Sequence, residues 1–143
     1  MILKNPYVSV TTSGPTTVDL SAYVQQISGG PEFDEVDTTV GNAAGTKSSE
    51  AGMESGSLEV TCLQAFGTGT PDAVNAAAYE DARNGLNVTV EFRAVNASRS
   101  ATNPGWSAAY KCFVYKPVDT QVGQAITTVL RFVKQGALSK LTS

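Results

Sequence analysis

The sequence predicts a mainly β protein: an antiparallel sheet with one dry and one wet face, one α-helix and a long protruding loop. Three observations carry this expectation. Several segments alternate apolar and polar residues with a period of two, the mark of strands with one dry and one wet face. A single segment, TGTPDAVNAAAYEDARNG, carries helix signals at both ends. The stretch EFDEVDTTVGNAAGTKSSEAGMESGS, from Glu32 to Ser57, offers a core almost nothing to bury.

The elements follow in chain order. YVSVTT at 7–12 and TTVDLSAYVQQIS at 16–28 are rich in β-branched residues, with Gly14-Pro15 as the turn between them. SGSLEVTCLQAF sets Leu58, Val60 and Cys62 on one face and Ser57, Glu59 and Thr61 on the other. The helix takes Thr70 as N-cap, Pro71 at its first position, Asp72 in its first turn and Gly85 just past its end. Val74, Ala77, Ala78 and Ala82 form a narrow stripe of small residues suited to lying on a sheet. GLNVTVEFRAV alternates most clearly, with Leu86, Val88, Val90 and Phe92 against Asn87, Thr89, Glu91 and Arg93. WSAAYKCFVYKP alternates less cleanly and reads as a strand buried on both faces. QAITTVLRFVKQG is the last long strand, with Ile126, Thr128, Leu130 and Phe132 on one face.

A chain of 143 residues is most simply one domain, 1–143, with enough length for a core. The apolar share of 41% and charged share of 16% fit a globular protein. A net charge of −3, with ten scattered cations, argues against a surface built to grip nucleic acid. It leaves room for nucleic acid as passing cargo, because a wall that must not hold DNA is better acidic or neutral than basic. No segment approaches the apolar length of a membrane span, so no membrane partner is expected. The first residues, MILKNPYVSV, lack the basic region and apolar core of a secretory signal. Without an export signal, Cys62 and Cys112 read as buried free thiols, with a disulfide as the alternative.

Chemistry is sparse. There is no histidine, which excludes His-based triads and His-ligated metals. No phosphate-binding glycine loop or dinucleotide fingerprint is present. Glu32, Asp34, Glu35 and Asp37 place four acids in six positions. A glycosidase pair would need an apolar pocket to raise one pKa, and only Phe33 and Val36 lie nearby. Calcium suits carboxylates better, but the spacing is not that of an EF-hand loop. The acids therefore read as a solvated strand end, and no enzyme activity, cofactor or metal site is expected. Asn87-Val88-Thr89 and Asn96-Ala97-Ser98 match the glycosylation pattern and read as chance matches.

Two stretches resemble the major tail tube proteins of long-tailed bacteriophages. DLSAYVQQISGGPEFDEVDTTVGNA, from Asp19 to Ala43, has Asp-Leu-Ser near a strand start, then Tyr-Val, then an acidic stretch ending in Thr-Thr and a glycine. It leads through a small-residue loop to a strand opening with Gly56-Ser57-Leu58. YKPVDTQVGQAITTVLRFVKQGALSK has Tyr115 and Pro117 in a corner, Val122-Gly123 before the last long strand, and Gly136-Ala137-Leu138 near the end. NASRSATNPGW, between them, matches no landmark of that family.

The resemblance implies the tail tube fold, an antiparallel β-sandwich or partly closed barrel with one flanking α-helix, and hexameric rings stacked into a hollow tube that conducts genomic DNA into the host cell. It implies tape measure, tail tip and tail terminator proteins as partners, DNA as transient non-specific cargo, assembly in the host cytoplasm and residence in the virion tail. On that reading the segment from about 33 to 57 is an arm that packs on another subunit and orders itself there. Its contact candidates are Glu32, Asp34, Glu35, Asp37, Gly41, Gly45, Lys47, Glu50 and Glu54. Glu59, Glu91, Arg93 and Arg131 are candidates for the inner wall, with the arginines neutralised by nearby carboxylates. Two alternatives stay open. One is another tube-forming or terminator protein of a phage tail or type six secretion system. The other is a carbohydrate- or calcium-binding β-sandwich module, with Trp106, Tyr110 and Tyr115 as sugar-stacking candidates.

Overall fold

The computed structural model describes residues 2–41 and 45–143. Among the described residues, eight strands and one helix occur in the order β1 (Tyr7–Thr11), β2 (Thr17–Asp19), β3 (Val24–Asp37), β4 (Ser49–Leu63), α1 (Pro71–Arg83), β5 (Val88–Arg93), β6 (Gly105–Cys112), β7 (Thr127–Lys134) and β8 (Ser139–Leu141). All strands join one antiparallel sheet in the order β2-β1-β5-β6-β7-β4-β3, and β8 pairs with β6. β7 covers β6 at Tyr110–Cys112, and β8 takes over the same edge at Gly105–Ser107.

The sheet is open but strongly curled, and the connectivity requires this. β2 and β3 are the two edges of the sheet, yet only Leu20 to Tyr23 separate them. The five Cα–Cα steps from Asp19 to Val24 span at most about 18 Å. Seven strands laid flat would hold those edges roughly 29 Å apart. The sheet therefore bends into a partly closed barrel, as the family resemblance implies. Leu20, in this connection, is wholly buried in the core cluster, and its N–H donates to the Val8 carbonyl at 2.8 Å.

The core lies on the concave face. Val8 and Val10 of β1, Leu58, Val60 and Cys62 of β4, Val88 and Val90 of β5, and Leu130 and Phe132 of β7 form one buried cluster. The helix closes this side with Val74 and Ala78. It is tied at both ends. Asp72 accepts a hydrogen bond from the Tyr115 hydroxyl at 2.7 Å, and Asp81 accepts from Ser13 N–H at 3.0 Å and Ser13 Oγ at 2.7 Å.

Several expectations need correction. The segment 16–28 is not one strand. Asp19 accepts from the Ser21 N–H and hydroxyl, an Asx turn that ends β2 and restarts the chain at Val24. The helix buries Asn75 and Asp81 beside Val74 and Ala78, whereas Ala77 is exposed, because Asp81 is satisfied by Ser13. Thr70 is the N-cap residue, but its hydroxyl donates to the Gly67 carbonyl at 2.7 Å and not into the helix. Leu86 and Ile126 fall outside their strands and are exposed. β6 is not buried on both faces; Gly105, Ala108, Tyr110 and Cys112 are buried, while Ser107, Ala109 and Lys111 are half-exposed. Gly85, with φ of 75°, ends the helix as predicted.

Candidate functional site

The expected arm is a β-ribbon for most of its length. β3 and β4 pair from Val24↔Cys62 out to Asp37↔Ser49, with an irregularity between Phe33 and Glu35. β7 accompanies β4 only from Ser57 to Leu63. The eight residues Ser49 to Gly56 and their β3 partners therefore run past the sheet, projecting roughly 26 Å. The loop at the tip spans only 38–48, and its residues 42–44 lie outside the described residues.

Where the ribbon leaves the sheet, the strands approach too closely for side chains. A Cβ on Gly29 would lie 2.3 Å from the Ser57 carbonyl oxygen, and one on Gly56 would lie 2.8 Å from that of Gly30. Pro31 follows, tolerated because β3 is an edge strand whose outer N–H groups have no partner strand. An ion pair between Lys134 of β7 and Glu54 of β4 fixes the root of the arm, and Lys134 is nearly buried there. Glu54 is thus engaged within its own chain.

The other arm acids form no ion pair among the described residues. Glu32, Asp34, Glu35, Asp37 and Glu50 are exposed along the paired strands, as are Lys47 and the turn residues Gly41 and Gly45. Asp37 accepts from the Thr39 N–H at 2.8 Å, and hydrogen bonds from Thr39 hold its carboxyl below the usual range. Among the described residues, no group of three His, Cys, Asp or Glu side chains converges as a metal site would need. The arm also displays apolar side chains: Phe33, Val36, Val40 and Met53 are exposed.

The register puts Glu59, Glu91, Arg93 and Arg131 on one face of the sheet, opposite the core. Glu59 stands across from Arg131, Arg131 shares its face with Val133, Val133 stands across from Lys111, and Ser107 on the same face of β6 stands across from Glu91. The four are not equally open. Glu59 and Arg131 are about half exposed and lie 3.8 Å apart. Glu91 and Arg93 are mostly buried. The Glu91 carboxylate accepts from Arg99 Nε at 2.6 Å and Nη2 at 3.1 Å, and from Arg93 Nε and Nη2 at 3.2 Å. These bonds, led by that from Arg99, hold its carboxyl below the ordinary 4.5. Arg93 also stacks 4.1 Å above the Tyr7 ring.

Sequence reading missed Arg99 and Lys111. Lys111 was legible, because Tyr110 and Cys112 flank it and alternation sends it to the opposite face. Arg99 was not, because the irregular segment after β5 folds back on Glu91 without any periodic pattern. The aromatic candidates do not form a sugar platform. Trp106 stacks on Phe92 at 5.7 Å, Tyr110 meets Phe132 edge-on at 6.2 Å, and Tyr115 is bonded to Asp72.

No protein-family profile matches the chain, and no curated protein matches it. Solved structures do. A chain in the virion of a native gene transfer agent particle aligns at a TM-score of 0.68 and 12% identity, over 98% of both chains. One in the baseplate of the anti-feeding prophage, solved with six-fold symmetry, aligns at 0.68 and 13% identity, over 99% of this chain and 95% of that one. The SPP1 tail tube aligns at 0.67 and 13% identity, over 100% of this chain and 80% of that one. At such identities the likeness is one of fold, and it extends over essentially the whole length. The chain has the fold seen in the SPP1 tail tube and in the gene transfer agent particle.

Proposed function

We propose that the chain is a structural subunit of a phage-like tail tube: a single tube domain, 1–143, that forms hexameric rings stacked into a hollow conduit for genomic DNA. The observation that carries this reading is the pairing of a curled, open sheet with a ribbon that projects past it and buries almost nothing in its own chain. Free edges invite pairing with another chain, and a ribbon without internal contacts is stable only when something covers it. The six-fold symmetry of the anti-feeding prophage baseplate, and the C6 symmetry of the empty gene transfer agent tail at a TM-score of 0.68, support six copies per ring.

The polar sheet face is the inner wall. Glu59 and Arg131 stand open on it as a pair, and Glu91 engages both Arg93 and Arg99, so these guanidiniums are tied to carboxylates instead of open to phosphate, while Lys111 and the second guanidinium leave the face a modest positive excess. Such a tube works with tape measure, tip and terminator proteins, holds DNA only transiently, assembles in the host cytoplasm and resides in the virion tail. It performs no catalysis. The likeness to the anti-feeding prophage baseplate favours a second reading, an inner-tube or terminator subunit of a related machine. Sedimentation and negative-stain microscopy over a rising concentration series test both. Long tubes of uniform width support the tail tube, isolated rings support a terminator, and a persistent monomer counts against either.

A further inference from the structure

The outer part of the β3–β4 ribbon is tied to its own chain by one side-chain contact. Beyond Gly56 no third strand accompanies it, because the pairing of β4 with β7 stops at Ser57↔Val133. Among the described residues, the ion pair between Glu54 and Lys134 is the only hydrogen bond or ion pair that joins this outer part to the rest of the molecule. None of its large apolar side chains belongs to the core. Phe33, directly across from Glu54, is exposed, as are Val36 and Met53 further out.

The stretch that carries the ribbon away from the sheet is bare. The pairs Gly30↔Ser57 and Pro31↔Gly56 place nothing larger than a proline ring on two successive steps of the ladder. Cross-strand side-chain pairs, which stabilise a sheet, are missing there, and glycine inside a strand weakens it further. Glu54 lies two residues beyond Gly56, and Lys134 ends β7 across from Tyr110. The ion pair therefore bridges the bare stretch. Its side chains differ in environment: Lys134 is 8% exposed and Glu54 34%. A nearly buried ammonium left without its carboxylate would be an uncompensated charge, so Lys134 strongly favours the position of β4 that keeps Glu54 beside it.

We infer that Lys134 and Glu54 form a latch across a hinge. The ribbon pivots where Gly29, Gly30 and Gly56 meet, and the ion pair holds it at one angle to the sheet. The latch belongs to the single chain and needs no tube around it. Lys134 is thus a positioning residue, which fixes where the exposed Phe33, Val36 and Met53 are presented. A latched ribbon meets any partner with its direction already set, so less ordering is left to the moment of contact.

Distances between two spin labels test this, read by pulsed electron paramagnetic resonance on protein shown by sedimentation to be monomeric. Glu50→Cys labels the ribbon and Glu80→Cys labels the helix; both positions are exposed, and the native Cys62 and Cys112 are buried. Glu50 stands six residues beyond Gly56, roughly 20 Å out, so a pivot of about 20° would move it by about 7 Å. With the native ion pair in place, one narrow distance is expected. Glu54→Gln combined with Lys134→Met removes both charges and leaves no unpaired ion. This variant should keep the circular dichroism of the parent and spread the distances over that range. Lys134→Met alone, which leaves only the partly exposed Glu54 unpaired, is a second variant and should broaden them in the same way. Glu54→Lys combined with Lys134→Glu should narrow them again. A broad distribution with the native pair in place would overturn the latch, and a narrow one in either neutralised variant would overturn the hinge. Distances that stay spread after the charge exchange would show that ion pairing is not what holds the ribbon.

Discussion

Cys62 and Cys112 show how much burial decides at a single residue. Both sulfurs are enclosed, and burial pushes the Cys62 thiol up to about 12. Cys112 Sγ lies 3.3 Å from both Asn75 Oδ1 and the Val114 carbonyl. At neutral pH neither thiol is nucleophilic. The native protein should resist alkylation for hours, and denaturation without reductant should expose two reactive cysteines by intact mass. Glu91 makes the opposite case, a carboxylate kept charged. Its folded pKa lies below its ordinary value because Arg99 and Arg93 bond the ionised form. Its contribution is therefore complete above the unfolded value and is lost as pH falls through the lower folded one. Glu91→Gln is expected to cost about 1–2 kcal/mol near neutrality. It should also flatten the loss of stability below about pH 4.5, as read from denaturant titrations at several pH values. An unchanged acid limb would mean that the guanidinium bonds do not hold in solution.

At the scale of elements, the arm is the part whose removal should separate folding from assembly. Phe33 pairs with Glu54, so Asp34 to Met53 can be replaced by Asn-Gly, which favours the tight turn of a two-residue hairpin. Glu54 stays and keeps the nearly buried Lys134 neutralised. The shortened chain should retain a cooperative thermal transition within a few degrees of the parent and lose the ability to stack. Tubes of normal length from it would give the arm another task. Gly29→Val probes the root, where a Cβ would strike the Ser57 carbonyl. It should loosen the ribbon, seen as faster amide exchange at residues 32–37, and leave Leu58 and Val60 in the core. Strands with one dry face were legible because period two survives in SLEVTC and NVTVEF, and the helix because Thr70-Pro71 and Gly85 punctuate it. The length of β3 was not legible. Its outer half is held by backbone pairing to β4 alone, with no apolar side to alternate. The buried Asp81 was hidden for a related reason, since Ser13 satisfies it across 68 residues of sequence.

For the whole molecule, the sequence carried the partly closed barrel only through a resemblance. The physical cause became visible when the two edge strands proved to be neighbours in the chain. The inner-wall assignment is tested at this scale. Glu59→Lys breaks a half-exposed pair with Arg131 and should cost little stability, under about 1 kcal/mol. Tubes should still form, and ejection of DNA should slow as the wall gains fixed cations. Ejection at the normal rate from well-formed variant tubes would remove Glu59 from the wall. The most direct measurement of the central claim is a helical reconstruction by electron cryo-microscopy of the protein assembled at high concentration. The account predicts rings of six copies, the face bearing Glu59 and Arg131 turned to the channel, and each ribbon crossing to the next ring. A chain that stays monomeric with and without a tail-tip initiator, or rings whose ribbons never cross the junction, would contradict it.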